Sequence, residues 1–195
     1  IYIGILVSWA ASVYDRLVSK TIRRYMIVLV GLMVLWMLMR TLRFTVFYHV
    51  FPVGQWCWYA YYISMILIPQ VSLMAAQYIG KPEEYRLPKK WYLTYIPSLV
   101  LLLGILTNDL HQWAFRFHLG YEIGWDQYQH NFLYYAAVAW IFVCIVLMII
   151  QVMKNCRIPG AKQMIWLPVA MLGIGVLYSV LYAVDSNLFG FIEMT

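Results

Sequence analysis

Apolar residues along this chain come in long blocks, separated by short runs that hold most of the charge. The blocks fall at about residues 1–15, 25–46, 54–79, 91–107, 131–153 and 164–184. About 20 apolar residues in a helix cross a hydrocarbon core of about 30 Å, and each of the last five blocks is long enough once tilt is allowed. The first, Ile1–Tyr14, makes only about 21 Å of helix at 1.5 Å per residue. The pattern predicts an all-α, polytopic transmembrane bundle, read as one membrane-embedded domain over residues 1–195. A first helix that starts at Ile1, with no basic stretch ahead of it, reads as the remainder of a longer span.

Composition agrees with a lipid solvent. Hydrophobic residues make up 64% of the chain and charged residues 11%, against roughly 25% charged in a soluble domain. A water-soluble core this apolar could not cover its own surface. Many aromatics stand at block ends, as Trp56, Trp58, Trp91, Tyr92, Trp113, Tyr134 and Tyr135 do. There the rings can straddle the headgroup layer. The three cysteines have no metal or redox spacing and read as unpaired.

Charge sets the expected orientation. The loops Asp15–Arg24, Gly80–Lys90 and Lys154–Gln163 hold 11 of the 14 Lys and Arg residues, leaving Arg40, Arg43 and Arg116 for the other side. Alternating spans put all three basic loops on one side, which the positive-inside rule makes cytoplasmic. The N-terminus is then extracytoplasmic, and after six spans so is the C-terminus.

Spacing assigns faces. Pro97, Leu101, Gly104, Asn108 and His111 make one stripe of the fourth span, with a small residue that lets a neighbour approach. Gly175 and Ser179 make a small pair in the sixth, beside a stripe of Tyr178, Tyr182 and Asp185. Gln70 and Gln77 share a face of the third span, which Pro69 should kink. The fifth span, Val138–Ile150, is nearly free of polar atoms and is placed at the lipid-facing edge. Arg40 and Arg43 lie near the outer end of the second span. Snorkelling to the headgroups explains them as well as pairing with Asp109, Asp185 or an anionic ligand does.

Catalytic chemistry finds no foothold. There is no H-E-x-x-H pair, no phosphate-binding glycine loop and no lysine within a span. Asp109, His111, His118 and His130 lie on an aromatic loop at irregular spacing and read as ordinary hydrogen-bonded loop residues rather than metal ligands. Ser64, Ser72 and Ser179 have no histidine at matching depth. No catalytic residue, metal or cofactor is expected, and no nucleic acid should be contacted by this segment.

Ile96-Pro97 through Leu106-Thr107-Asn108-Asp109-Leu110-His111 resembles the fourth helix of the histidine-kinase N-terminal seven-transmembrane region. The preceding span, with Pro69 and a Tyr78-Ile79-Gly80 exit, is similar too. So is the stretch Asp185-Ser186-Asn187 to Gly190-Phe191-Ile192-Glu193, which resembles the approach to a seventh helix. The resemblance implies six visible spans of an expected seven, with an effector domain beyond them and a homodimeric assembly. The function it implies is a bacterial sensory input module that receives a small ligand or membrane signal at its extracytoplasmic mouth. The residues expected at that mouth are Arg40, Arg43, Trp56, Tyr62, Asn108, Asp109, His111 and Asp185. Those expected to pack helices are Pro69, Gln70, Pro97, Gly104, Gly175 and Ser179. The competing readings are a small solute or lipid transporter, a membrane-complex subunit, and a structural anchor dimerising through Gly175 and Ser179.

Overall fold

The computed structural model describes Gly4, Ser8, Ala11 and residues 19–47, 50, 52–117 and 128–155, all within the unit Ile1–Asn155. Nearly all of the predicted first span and the whole of the sixth, with Gly175, Ser179 and Asp185, lie outside these residues.

Helix α1, Lys20–Thr41, opens at Ser19, whose Oγ accepts the Ile22 N–H at 3.5 Å. This satisfies one of the donors a helix start leaves without an intrahelical partner. α1 runs directly into a wide π-helical turn, Leu42–Val46. Helix α2, Val53–Tyr78, follows and continues through Pro69, which removes the N–H that would reach the Met65 carbonyl.

The predicted fourth span changes character along its length. Lys89–Thr94 wind as a 3-10 helix, and α3, Tyr95–Leu106, takes over from there. Pro97 is the reason. Its ring cannot tolerate the Leu93 carbonyl at α-helical distance, so α-winding begins only where the missing N–H has no partner to lose. Six residues at about 2.0 Å and twelve at about 1.5 Å still give about 30 Å.

The chain then makes a single turn, α4, Asn108–His111, and reverses at Gln112, which sits in the left-handed region at φ 52°. Beyond it the sequence suggested only an aromatic loop. The structure instead builds a two-stranded antiparallel hairpin, with β1, Phe115–Phe117, paired to β2, Tyr128–His130, so that Arg116 faces Gln129. Helix α5, Phe132–Asn155, completes the described fold. Three segments, Lys20–Val46, Val53–Tyr78 and Phe132–Asn155, are each long and apolar enough to cross a membrane.

α2 is the central post. Buried residues appear all round it, from Gln55 and Trp58 through Ile66 and Gln70 to Met74 and Gln77. α1, α3 and α5 all pack against it. At one end Trp58, Tyr59 and Tyr62 meet Phe115 and Phe117 of the hairpin together with Leu102, Ile105 and Leu133. At the other, Leu73, Met74 and Cys144 are joined by Leu87, Tyr25, Tyr78 and Trp91. This second end also holds the starts and finishes rich in Lys and Arg: Tyr25 of α1 meets Tyr78 of α2 at 5.6 Å, and Asn155 of α5 donates to the Ala76 carbonyl.

Two expected faces need correction. The buried stripe of α3 is Ser98, Leu102 and Ile105, ending at Asn108, while Pro97, Leu101, Gly104 and His111 flank it and are only partly covered. The two stripes are adjacent and share Asn108; Leu99–Leu106 are apolar all round, so only packing against α2 and α5 selects the buried face. Gly104 does mark a close approach: a Cβ there would fall 2.5 Å from Leu133 Cδ2. α5 exposes Tyr135, Val138, Phe142 and Val143, as a lipid-facing helix should. It also turns Leu133, Ala137, Trp140 and Cys144 inward at 4-3-4 spacing, with two polar atoms the apolar pattern hid.

Candidate functional site

Polar side chains gather at two levels along α2. The first is the hairpin end. Gln55 and Tyr59, one turn apart on α2, both donate to Asp109 Oδ1, at 2.6 and 2.7 Å. The Tyr59 hydroxyl in turn accepts from Gln55 Nε2 at 3.3 Å and from Asn108 Nδ2 at 3.2 Å. Asn108 is fully buried and uses all of its hydrogen-bonding capacity. Its second Nδ2 hydrogen goes to the Phe115 carbonyl at 2.9 Å, and its Oδ1 accepts from Ala114 N and Phe115 N at 2.9 and 3.0 Å. Neighbouring residues of one turn thus do separate jobs. Asn108 fastens the hairpin, and Asp109, exposed to water, is held by α2.

His111 organises the turn between them. Its Nδ1 accepts from Trp113 N at 3.0 Å, which leaves the neutral ring's proton on Nε2, 3.2 Å from Thr107 Oγ1. That tautomer is inferred from the hydrogen-bond pattern. Asn131 closes the other side: its backbone N–H reaches the Ala114 carbonyl, its amide the Gln112 carbonyl, and its Oδ1 the Phe132 N–H that begins α5.

Of the remaining residues expected at the mouth, Tyr62 is buried beneath Phe115, with ring centres 5.3 Å apart, and Trp56 faces outward, 67% exposed. The two arginines part company. Arg40 stays exposed, its guanidinium 5.9 Å from the Trp36 ring centre. Arg43 does not snorkel: it is 3% exposed, lies in the π-helical turn, and packs where a Cβ on Gly54 would stand 3.3 Å from its Nη1. Among the described residues no three His, Cys, Asp or Glu side chains are placed to share a metal ion.

His130 stands at the hairpin edge with its ring 4.0 Å from Tyr134 and 5.3 Å from Tyr128. Burial among these rings holds its pKa below the ordinary 6.5. The ring stays partly open to water, which moderates the effect. The folded state therefore resists protonation. Above pH 6.5 His130 contributes nothing to pH dependence, and stability falls as the pH drops from 6.5 towards the lower folded value. An NMR titration of the His130 Hε1 resonance should give a midpoint below 6.5. A midpoint at or above 6.5 would refute the burial argument.

The second level lies midway along α2. Gln70 Nε2 donates to Thr94 Oγ1 at 2.7 Å, and Thr94 passes its own proton to the Trp91 carbonyl at 2.6 Å. Gln70 Oε1 accepts from Ser98 Oγ at 3.2 Å and from Cys144 Sγ at 3.4 Å, while Trp140 Nε1 donates to Ser98 Oγ at 2.7 Å. Gln70, Ser98 and Cys144 are fully buried. One amide thus joins α2, α3 and α5. Gln70 was legible as an inward polar residue. Its partners were not, because Ser98, Trp140 and Cys144 are ordinary in an apolar helix until the register between helices is known. Interhelical side-chain bonds in bilayers average about 0.6 kcal/mol and reach about 1.7, so Gln70→Leu should cost about 1–2 kcal/mol. Trp140→Phe, acting through the shared Ser98, should be non-additive with it by about 0.5 kcal/mol or more. Strict additivity in a double-mutant cycle would show that the junction is not one network.

The match that decides the family spans the whole chain: the sequence model described as the N-terminal 7TM region of histidine kinase covers residues 1–195. The chain belongs to this family. It is an integral membrane protein and a sensor region of the histidine-kinase type, as the resemblance around Pro97 and Asn108 implied. No curated protein and no solved structure matches it. Within the 7TM region, the described helices put the quoted Thr107-Asn108-Asp109-Leu110-His111 run at the point where α3 gives way to the hairpin.

Proposed function

We propose that this 7TM region receives an extracytoplasmic signal at its hairpin end and relays it along α2 by a change in helix packing. In this reading the chain supplies six of seven spans, with its N-terminus outside, and works within a homodimeric sensor kinase. The orientation rests on charge. Lys20, Arg23 and Arg24 precede or open α1, Lys81, Arg86, Lys89 and Lys90 follow α2, and Lys154 closes α5, all at the end opposite the hairpin.

The observation that carries the relay is that a single helix links both polar levels. Gln55 and Tyr59 of α2 grip the exposed Asp109, and Gln70, further along the same helix, grips α3 and α5. A stimulus that binds more tightly to one arrangement of the Asp109 grip than to another biases α2, and through Gln70 its neighbours. Only differential affinity can do this, so the charge of Asp109 is the group to test. In the full-length protein reconstituted in nanodiscs, Asp109→Asn and His111→Ala should shift the midpoint of the autophosphorylation response by about fivefold or more at unchanged membrane abundance. If both variants respond like the parent, the hairpin end is not the receiving end.

A further inference from the structure

At the hairpin end, on the seam between α1 and α2, lies a cavity of about 300 Å³. Trp36 and Phe44 line it from the α1 segment, Trp58, Tyr61 and Met65 from α2, and Tyr128 from the hairpin. Among the described residues, Arg40 is the only charged one in the lining, with no carboxylate beside it. A water occupies about 30 Å³ in the liquid, so the space equals about ten waters, at the small end of ligand pockets. Five aromatic rings around one guanidinium suit a molecule with a flat or branched apolar body and a single anionic group. The rings would accept the body, and the planar guanidinium would take a carboxylate through two parallel N–H bonds.

The pocket spans three separate parts of the fold. Trp36 and Arg40 are one turn apart on α1, as are Tyr61 and Met65 on α2, so each helix offers one face. Tyr128 belongs to the strand whose neighbour Phe117 is fastened, through Phe115, to Asn108. An occupant would therefore touch α1, α2 and the hairpin at once.

We infer that this cavity binds a small organic anion, a carboxylate or comparable monoanion on an aromatic or branched apolar body, with Arg40 recognising the charge. Such chemistry can arrive as a free solute or as the headgroup and upper chain of an anionic lipid. The inference rests on the hairpin end being the receiving end, and it names the class of ligand received there.

The test is photolabelling of the full chain in nanodiscs with a trifluoromethyl-diazirinyl benzoate, beside its neutral benzamide, followed by peptide mapping. Saturable labelling should concentrate on the lining, above all Trp36, Tyr61 and Tyr128. The benzamide and the Arg40→Gln variant should each lose about tenfold or more in affinity, the scale of one charged hydrogen bond. Arg40→Lys should keep part of the affinity, since it retains charge without the fork. Met65→Trp, which fills the space and leaves Arg40 intact, should abolish labelling.

A phosphatidylglycerol with a diazirine in its upper chain distinguishes the sources. If it labels the same residues and the benzoate cannot displace it, the anion is a lipid; if only the benzoate labels, it is a solute. Equal labelling by benzoate and benzamide, labelling unaffected by Arg40→Gln, or labelling that survives Met65→Trp would each overturn the inference. A kinase that responds to Asp109→Asn yet shows no Arg40-dependent labelling would overturn the anion site and leave the sensor reading standing. Arg40-dependent labelling with no response in autophosphorylation to the probe or to Asp109→Asn would do the reverse.

Discussion

Replacing Asn108 with leucine should destabilise the hairpin end by about 3–5 kcal/mol. The side chain is fully buried and makes four hydrogen bonds, three of them to the backbone of Ala114 and Phe115. Leucine keeps the branching and heavy-atom count of the amide, with bulkier methyl ends, so no cavity forms and the loss falls mainly on the polar groups left behind. The cost is that two N–H groups and one carbonyl, none of them satisfied by the β1–β2 ladder, are left in a place water reaches poorly, at about 1–3 kcal/mol each. Hydrogen exchange locates the effect. The Ala114 and Phe115 amides should lose protection in Asn108→Leu while amides in the middle of α2 keep theirs. If the two amides stay as protected as in the parent, Asn108 is not what fastens the hairpin.

The second large effect is expected at Phe115. Its ring is fully buried between Trp58, at 4.5 Å, and Tyr62, Tyr128, Tyr134 and His130, at 5.3–5.9 Å. Phe115→Ala should cost about 3–5 kcal/mol and Phe115→Leu clearly less, because leucine refills most of the volume. The comparison with Gln70 decides which force dominates where. Between helices the unfolded reference is lipid, so apolar contact gains little and a polar junction is worth about 1–2 kcal/mol in total. The hairpin unfolds into water, so the full hydrophobic term applies to Phe115. Steady-state Trp emission should shift to the red in Phe115→Ala as Trp58 is uncovered. Equal costs for Ala and Leu would mean that the ring does not fill the mouth.

What the sequence revealed follows from which forces act over short range. Helix limits came through well: residues 25–46 and 54–79 were expected against the observed Lys20–Val46 and Val53–Tyr78, and 131–153 against Phe132–Asn155. Long apolar blocks fix these alone. The short motif at Asn108 was legible as special, since an asparagine at the end of an apolar span needs a reason. Its use was hidden. The four bonds go to Tyr59 and to Ala114 and Phe115, and these positions meet only after the chain reverses at Gln112, a non-glycine residue with positive φ that no turn rule would choose. The hairpin was missed because each strand has three residues and the apolar alternation of Phe115, Arg116 and Phe117 is too brief to separate from a loop. Gln55 and Tyr59 carried a faint signal as polar groups one turn apart on an apolar helix. Arg43 carried none, for nothing local distinguishes a snorkelling arginine from a buried one.

Gly80 gives the helix pair α2 and α5 a mechanical character. With φ at +72° it turns the chain where any Cβ would stand 2.7 Å from the Asn155 carbonyl oxygen, while Asn155 reaches back to the Ala76 carbonyl. At the far end of α5, Leu133 N–H holds the Trp113 carbonyl and Asn131 N–H the Ala114 carbonyl, in the turn that Asn108 ties to Tyr59 of α2. A slide of one helix along the other by a single residue, about 1.5 Å, strains both ends together. A twist about the long axis strains them far less. In the relay proposed above, these two fastened ends favour torque over a piston stroke.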